Sequence, residues 1–257
     1  MFSRLFGTKK EKITHAYNGQ PLVNDLSFIG VDMHSHFIPA IDDGSQSIED
    51  SIELVQSLQQ LGYKKIVTTP HIKVDHFANT PGTILNGLAD LKEALKERGI
   101  DMPIHAAAEY YIDDYFLQLL DTEQLLTVWK NEVLVEISFM FEPINLHDII
   151  FKLTSKGYQP IMAHPERYMY YHHDFNKYEE LKDRGCYLQM NLGAIAGYYG
   201  KQVKQVAEKL FNMGMYDYIG TDMHNVKHAE VAKSVLNNPD LLATLQSQPL
   251  RNPLIQF

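Results

Sequence analysis

Imidazoles and carboxylates recur at the ends of apolar runs in this sequence, and their types suit a cluster of divalent metal ions. His34 and His36 follow the run 27–33, His71 closes 65–71, and Glu109 closes 103–109. Glu136 lies near the end of 132–137, His164 closes 160–164, and Asp222 and His224 end the run that starts at Tyr218. Imidazole nitrogen and carboxylate oxygen favour borderline ions such as manganese, iron or zinc, without choosing among the three. The members of His34/His36 and of Asp222/His224 are two residues apart, so on extended chain both point to one side. A lone His-x-His pair says little, and a lone glutamate is more often a paired or partly exposed carboxylate. The repetition says more, because a buried ionised group is costly unless it is paired or bound to a metal. His15, His76, His105, His147, His172, His173 and His228 fall elsewhere and read as non-ligands. His105, inside a run, reads as a structural residue.

The elements that must position these residues follow one pattern. An amphipathic stretch ends at a glycine (Gly62, Gly99, Gly157, Gly185, Gly214), and a short apolar run follows. Glycine just past a helix end is the usual left-handed cap. Ile48, Ile52, Val55 and Leu58 share one helical face, as do Ile84, Leu88, Leu91 and Leu95. Ser47 with Asp50 reads as a capping box, and Thr80-Pro81 as a helix start. Seven candidate strands alternate with helices, which implies a parallel sheet and, with this many units, a closed barrel. An open doubly wound sheet is the alternative. In a parallel barrel the carboxyl ends of the strands share one rim, so the scattered ligand-type residues would meet there.

The chain of 257 residues, 45% hydrophobic and 11% aromatic, is long enough for one large domain, expected from residue 27 onward after a tail over 1–26. A net charge of −9 argues against broad nucleic-acid binding. The single cysteine, Cys186, fits a reducing cytosol, and a cytoplasmic location is expected. No apolar run approaches the roughly 20 residues of a membrane span. Met1 to Lys12 mixes apolar and basic residues without the apolar core of a signal peptide, and reads as a mobile tail.

Four motifs resemble those of the polymerase-and-histidinol-phosphatase (PHP) superfamily: Asp32-Met33-His34-Ser35-His36, Thr69-Pro70-His71, Ala163-His164-Pro165-Glu166-Arg167 and Gly220-Thr221-Asp222-Met223-His224. Within it, Ile41-Asp42-Asp43-Gly44-Ser45, Ala108-Glu109-Tyr110-Tyr111, Leu134-Val135-Glu136-Ile137-Ser138 and Met223-His224-Asn225 are similar to the CpsB/YwqE-type bacterial tyrosine phosphatases. The likeness runs in collinear order over about residues 28–230. It implies a distorted (β/α)7 TIM-like barrel holding three divalent metal ions, manganese by family preference with iron or zinc as alternatives. Carried over position by position, His34, His36, Glu109 and Asp222 would take the first ion. Glu109 would bridge to a second, held also by Glu136 and His164. Asp43, His71 and His224 would take the third; the family pattern alone selects Asp43 over Asp42. Arg167 matches a phosphate-binding arginine, with a surface salt bridge as its plainer role. The stretch after His224 lacks a further arginine that some relatives carry, so Lys227 or His228 is left to supply a second phosphate contact.

The chemistry implied is hydrolysis of phosphotyrosine in a protein by a hydroxide held between metals. The expected partner is the tyrosine-rich tail of a bacterial kinase that controls capsule or exopolysaccharide synthesis. Three divalent ions against four carboxylates, one hydroxide and Arg167 leave a net charge of about +2, which complements a phosphate monoester dianion. A cysteine-nucleophile tyrosine phosphatase needs an arginine six residues after the cysteine, and Leu192 stands there relative to Cys186. Two other readings compete: a phosphatase for a small histidinol-phosphate-like molecule, and a weakly active metal-binding regulatory subunit. Rim aromatics, Tyr110, Tyr111, Phe139, Phe141, Tyr168, Tyr170 and Tyr171, could stack on a phenyl ring or simply pack the core.

Overall fold

A computed structural model describes residues 13–257; the mobile tail expected over 1–12 lies outside the described residues. Strands and helices alternate from β1 (Val31–Asp32) through α1 (Ile48–Gln60), β2 (Lys65–Thr68), β3 (His71–Ile72), α2 (Pro81–Glu97), β4 (Ile104–Ala106) and β5 (Glu109–Tyr111). The order continues with α3 (Asp114–Thr122), β6 (Glu132–Glu136), α4 (Leu146–Ser155), β7 (Gln159–Ala163), α5 (Asn176–Asp183) and β8 (Tyr187–Asn191). It ends with α6 (Leu192–Ala196), α7 (Lys201–Asn212), β9 (Tyr218–Gly220), α8 (Val226–Leu236) and α9 (Pro239–Gln246).

Every strand pair is parallel, in the orders β1-β2-β4 and β3-β5-β6-β7-β8-β9. Two of the seven apolar runs are each broken into two strands. Pro70, which has no N–H to donate, separates β2 from β3, and Ala107-Ala108 separates β4 from β5. The ladder bridges these breaks, because Ala107 N donates to Thr68 O at 2.9 Å and Glu109 N to Pro70 O at 3.1 Å. Seven staves therefore stand side by side. They close on themselves after β9, where Asp222 N donates to His34 O at 2.8 Å and His36 N to Met223 O at 3.0 Å. Lower down, the Asn252 side chain bridges the same two staves, donating to Val31 O at 2.9 Å and Ile219 O at 2.7 Å. The expected distorted barrel is the observed one, and these closing bonds set aside the open sheet.

The helices form where local chemistry directs. Ser47 accepts from Asp50 N and caps α1, and Thr80 forms a reciprocal capping box with Thr83 ahead of Pro81. Ile52, Val55 and Leu58 of α1, and Ile84, Leu88, Leu91 and Leu95 of α2, are buried against the barrel. Gly62, with φ +102°, turns α1 back toward β2; a Cβ there would lie 2.9 Å from Ser27 N. Residues 13–26 run beside α9. Tyr17 N donates to Gln246 O, Val23 exchanges two bonds with the Gln246 side chain, and Leu26 is fully buried.

Candidate metal centre

The strand ends, with the loop between β1 and α1 that carries Asp43, bring all nine of the expected ligand side chains to one rim. His34 and His36 leave β1, and Asp222 follows β9 next to them. His34 Nε2 lies 3.3 Å from His36 Nε2, 3.1 Å from Glu109 Oε2 and 3.3 Å from Asp222 Oδ1. His36 Nε2 lies 3.5 Å and 3.4 Å from the same two oxygens. A tetrahedron with bonds of about 2.1 Å to a central ion has edges of about 3.4 Å, so these four buried atoms are spaced as a coordination shell. Glu109 turns its other oxygen to His164 Nε2 at 3.1 Å, and Glu136 Oε1 lies 3.6 Å from that nitrogen. Toward solvent, Asp43 Oδ1 lies 3.5 Å from His71 Nε2 and 3.3 Å from His224 Nε2. Ligand atoms fall into three overlapping groups: His34, His36, Glu109 and Asp222; His71, Glu109 and Glu136; and His36, Asp43, His71 and His224. His71 stands at the junction of the last two, with Nδ1 3.2 Å from Glu109 Oε2.

The electrostatics of this donor set fit cations. Burial and the neighbouring charge of Glu109 push the Glu136 carboxyl well above the usual carboxylate range. Two facing buried carboxylates need positive charge between them. Burial opposes a charged His34, yet Glu109 and Asp222 beside it hold its imidazolium up to about 9. A proton and a divalent ion compete for that same lone pair. His71 Nδ1 is buried and makes no hydrogen bond although it lies 3.2 Å from Glu109 Oε2, a state that costs about 1–3 kcal/mol and that a cation shared by those two atoms would relieve.

Outer partners aim the rings. His34 Nδ1 lies 2.9 Å from Gln189 Oε1, His36 Nδ1 2.7 Å from Asp42 Oδ2, and His224 Nδ1 2.9 Å from Asp222 O. With Nδ1 donating to these oxygens, each Nε2 lone pair faces the centre. Asn191 donates to Asp222 Oδ2 at 2.8 Å. Gly44 lets the Asp42-Asp43 turn lie against the first strand, since a Cβ there would sit 2.4 Å from His36 Cβ. Reading by ligand type alone passed over Gln189, Asn191 and Asp42, because amides and a neighbouring acid carry no ligand signal of their own. The one available clue was the two-residue spacing of Gln189 and Asn191 at a strand end.

Arg167 enters from the turn after His164. Its Nη1 donates to Asp222 Oδ2 at 2.9 Å, and the guanidinium lies between the rings of Phe139 and Tyr199, at 4.6 and 4.4 Å. It lines a cavity of about 520 Å³ together with Lys73, Phe77, Phe139, Tyr199 and His228. Of the two candidates for a second phosphate contact, His228 is on this wall, whereas Lys227 starts α8 outside it. Lys73, which the sequence reading did not select, supplies a second cationic side chain, 4.1 Å above the Tyr111 ring. His105 holds Thr127 O at 3.1 Å within its strand, a structural contact as expected.

A closed parallel barrel with imidazoles, carboxylates and one guanidinium gathered at its C-terminal rim defines a metal-dependent hydrolase. The chain belongs to the capsular polysaccharide synthesis family CpsB/CapC, which it matches over residues 30–233. It is 30% identical to the tyrosine-protein phosphatase YwqE of Bacillus subtilis over 211 residues, covering 80% of this chain and 83% of that one. It is 24% identical to the putative tyrosine-protein phosphatase CapC of Staphylococcus aureus over 215 residues, 83% of this chain and 84% of the other. Among solved structures, it superposes with a TM-score of 0.74 and 28% identity on one from a study of Bacillus subtilis YwqE and Streptococcus pneumoniae CpsB. These are described as unique metal-dependent tyrosine phosphatases, and the match covers 86% of this chain and 96% of the other. The family resemblance read from the motifs is thereby borne out. Among the described residues, no helix is long and apolar enough to cross a membrane.

Proposed function

We propose that this chain removes phosphate from phosphotyrosine in proteins, using three divalent ions, manganese first among them. Its substrate would be a tyrosine kinase that controls capsule or exopolysaccharide synthesis, met in the cytoplasm. The observation that carries the reading is the juxtaposition of three overlapping ligand groups with one partly buried guanidinium in a single cavity. His34, His36, Glu109 and Asp222 would hold the first ion, and Glu109, Glu136 and His164 the second. Asp43, His71 and His224 would hold the third. When bound, such ions lower the pKa of a coordinated water and neutralise phosphoryl oxygens.

The protein's own residues supply orientation. Arg167 is held by Asp222 and by two rings, so its remaining N–H donors are fixed toward the cavity and can bind a phosphoryl oxygen without reordering. Phe77, Phe139 and Tyr199 give the cavity aromatic walls suited to a phenyl ring. A phenolate leaving group, with a reference pKa of about 10, departs without strong acid assistance, so no general acid is assigned. The test compares a phosphotyrosine peptide, a phosphoserine peptide and histidinol phosphate with added manganese and then after chelation. Preference for the phosphotyrosine peptide and loss of turnover on chelation are expected. Turnover that survives metal removal sinks the metal assignment, and a strong preference for histidinol phosphate moves the substrate to a small molecule.

A further inference from the structure

We infer that the loop joining β6 to α4, residues 138–144, is a platform for the polypeptide that flanks the phosphotyrosine, and that it selects apolar side chains there. This rests on the phosphatase reading. Phe139 begins the platform inside the cavity: its ring stacks on His164 at 5.6 Å and covers Arg167 at 4.6 Å. From there the chain climbs outward with Met140 82%, Phe141 65% and Ile144 107% exposed. Isolated apolar residues are normal on a surface, but a run continuous with a cavity mouth marks a contact surface. The single acid of the loop, Glu142, is drawn aside by Lys177 at 3.6 Å, so the outward face stays uncharged.

The loop is also held in place. Tyr170 OH donates to Ser138 O at 2.7 Å, Met140 N to Ser138 Oγ at 3.1 Å, and Leu146 N to Pro143 O at 3.0 Å. A pre-formed apolar surface binds without the entropy cost of ordering it. Continuity with the cavity identifies the occupant. A tyrosine whose phosphate sits at Arg167 leaves its main chain at the mouth, and extended neighbours advance about 3.3 Å per residue, enough to reach Met140 and Ile144 within a few positions. A small phosphomonoester would have no use for such a surface.

The test uses the full chain loaded with manganese, wild type and Met140→Ser/Ile144→Ser. It is assayed on one phosphotyrosine peptide with leucine and isoleucine flanks, one with serine and glycine flanks, and 4-nitrophenyl phosphate. In the variant, kcat/KM on the apolar-flanked peptide is expected to fall by about tenfold through KM, with 4-nitrophenyl phosphate unchanged. The wild type's preference between the two peptides should vanish with it. Equal losses on all three substrates would overturn the inference by making the loop part of the catalytic cavity. No loss on any, with a change in sedimentation or in binding to phospholipid vesicles, would assign the surface to a second copy or a bilayer instead. A wild type inactive on both peptides sinks the phosphatase reading, and this inference with it. A wild type active on both, with the variant indistinguishable from it, sinks the platform alone.

Discussion

Asparagine at Asp42 tests a side chain that would hold no ion in the proposed site yet sets the geometry of two ligands. Its Oδ2 accepts from His36 Nδ1 at 2.7 Å and from His71 N at 3.0 Å, while Oδ1 accepts from Gly44 N at 3.0 Å. Burial acts to raise this carboxyl, but the His36 imidazole and its hydrogen bond hold it far below the usual carboxylate range. In Asp42→Asn the carbonyl can keep Gly44, which turns the NH2 toward two N–H donors. Flipping the amide only moves the mismatch to Gly44. Losing one charge-assisted bond costs about 2 kcal/mol, which is roughly thirtyfold in an equilibrium constant. That falls inside the roughly 10–100-fold typical of outer partners of metal-bound histidines. Titrating metal-depleted protein with manganese by calorimetry should therefore show at least one ion bound roughly thirtyfold more weakly. At saturating manganese, kcat should stay within the same order of magnitude. By contrast Asp43→Asn, at a half-exposed carboxylate that reaches both His71 and His224, should remove one binding event. Manganese affinity in Asp42→Asn equal to wild type would refute the reasoning.

Arg167→Ala removes both the Asp222 bond and the cation facing the cavity, and kcat/KM on a phosphotyrosine peptide should fall by about a hundredfold or more. Arg167→Lys should recover little, because an ammonium cannot occupy the planar slot between Phe139 and Tyr199; steady-state kinetics reading wild-type values in either variant would remove Arg167 from the site. Stripping metal with a chelator should abolish turnover and lower Tm, since buried Glu109 and Glu136 then lack their cation. Manganese should restore both, and a Tm indifferent to metal would count against the centre. Burial pushes the Cys186 thiol up to about 12, so its reactive thiolate is scarce below about pH 9. Iodoacetamide should leave activity intact and label Cys186 only in denaturant; inactivation of the folded protein would contradict this placement.

Much of the barrel was legible because the strands are largely buried and read as continuous apolar runs, most of them closed by a residue that water would otherwise claim. His34, His71, Glu109, His164 and Asp222 stood out for that reason alone. Asp43 did not. It sits in a loop beside a second aspartate, and apart from the family pattern only the positions of His71 and His224 in space distinguish an exposed carboxylate facing two imidazoles from the buried Asp42 behind His36. The division of the second and third strands was equally hidden. A proline within an apolar run announces a break but not that neighbouring backbone will bridge it.

What the sequence could not announce at all is backbone conformation at the rim. His164 has φ 33° and Asp222 φ 51°, left-handed values that cost a non-glycine residue about 1–3 kcal/mol. Each is over-determined by its surroundings. Arg167 N bonds back to His164 O at 2.9 Å, and Tyr168 OH anchors the preceding Ala163 O at 3.1 Å. Asp222 N is tied to His34 O, while Asn191 and Arg167 grip its side chain. Both turns swing a ligand side chain inward as the strand ends, and the turn after His164 also carries Arg167 into the same cavity. The strain is thus balanced by contacts made by the site itself. Substituting glycine for either residue would relax the backbone while removing the ligand, and stability would be set by which loss is larger. With the buried Glu136 carboxyl already pushed up for want of positive charge, the ligand's side weighs more at His164, where a neutral imidazole would share an ion with Glu109 and Glu136.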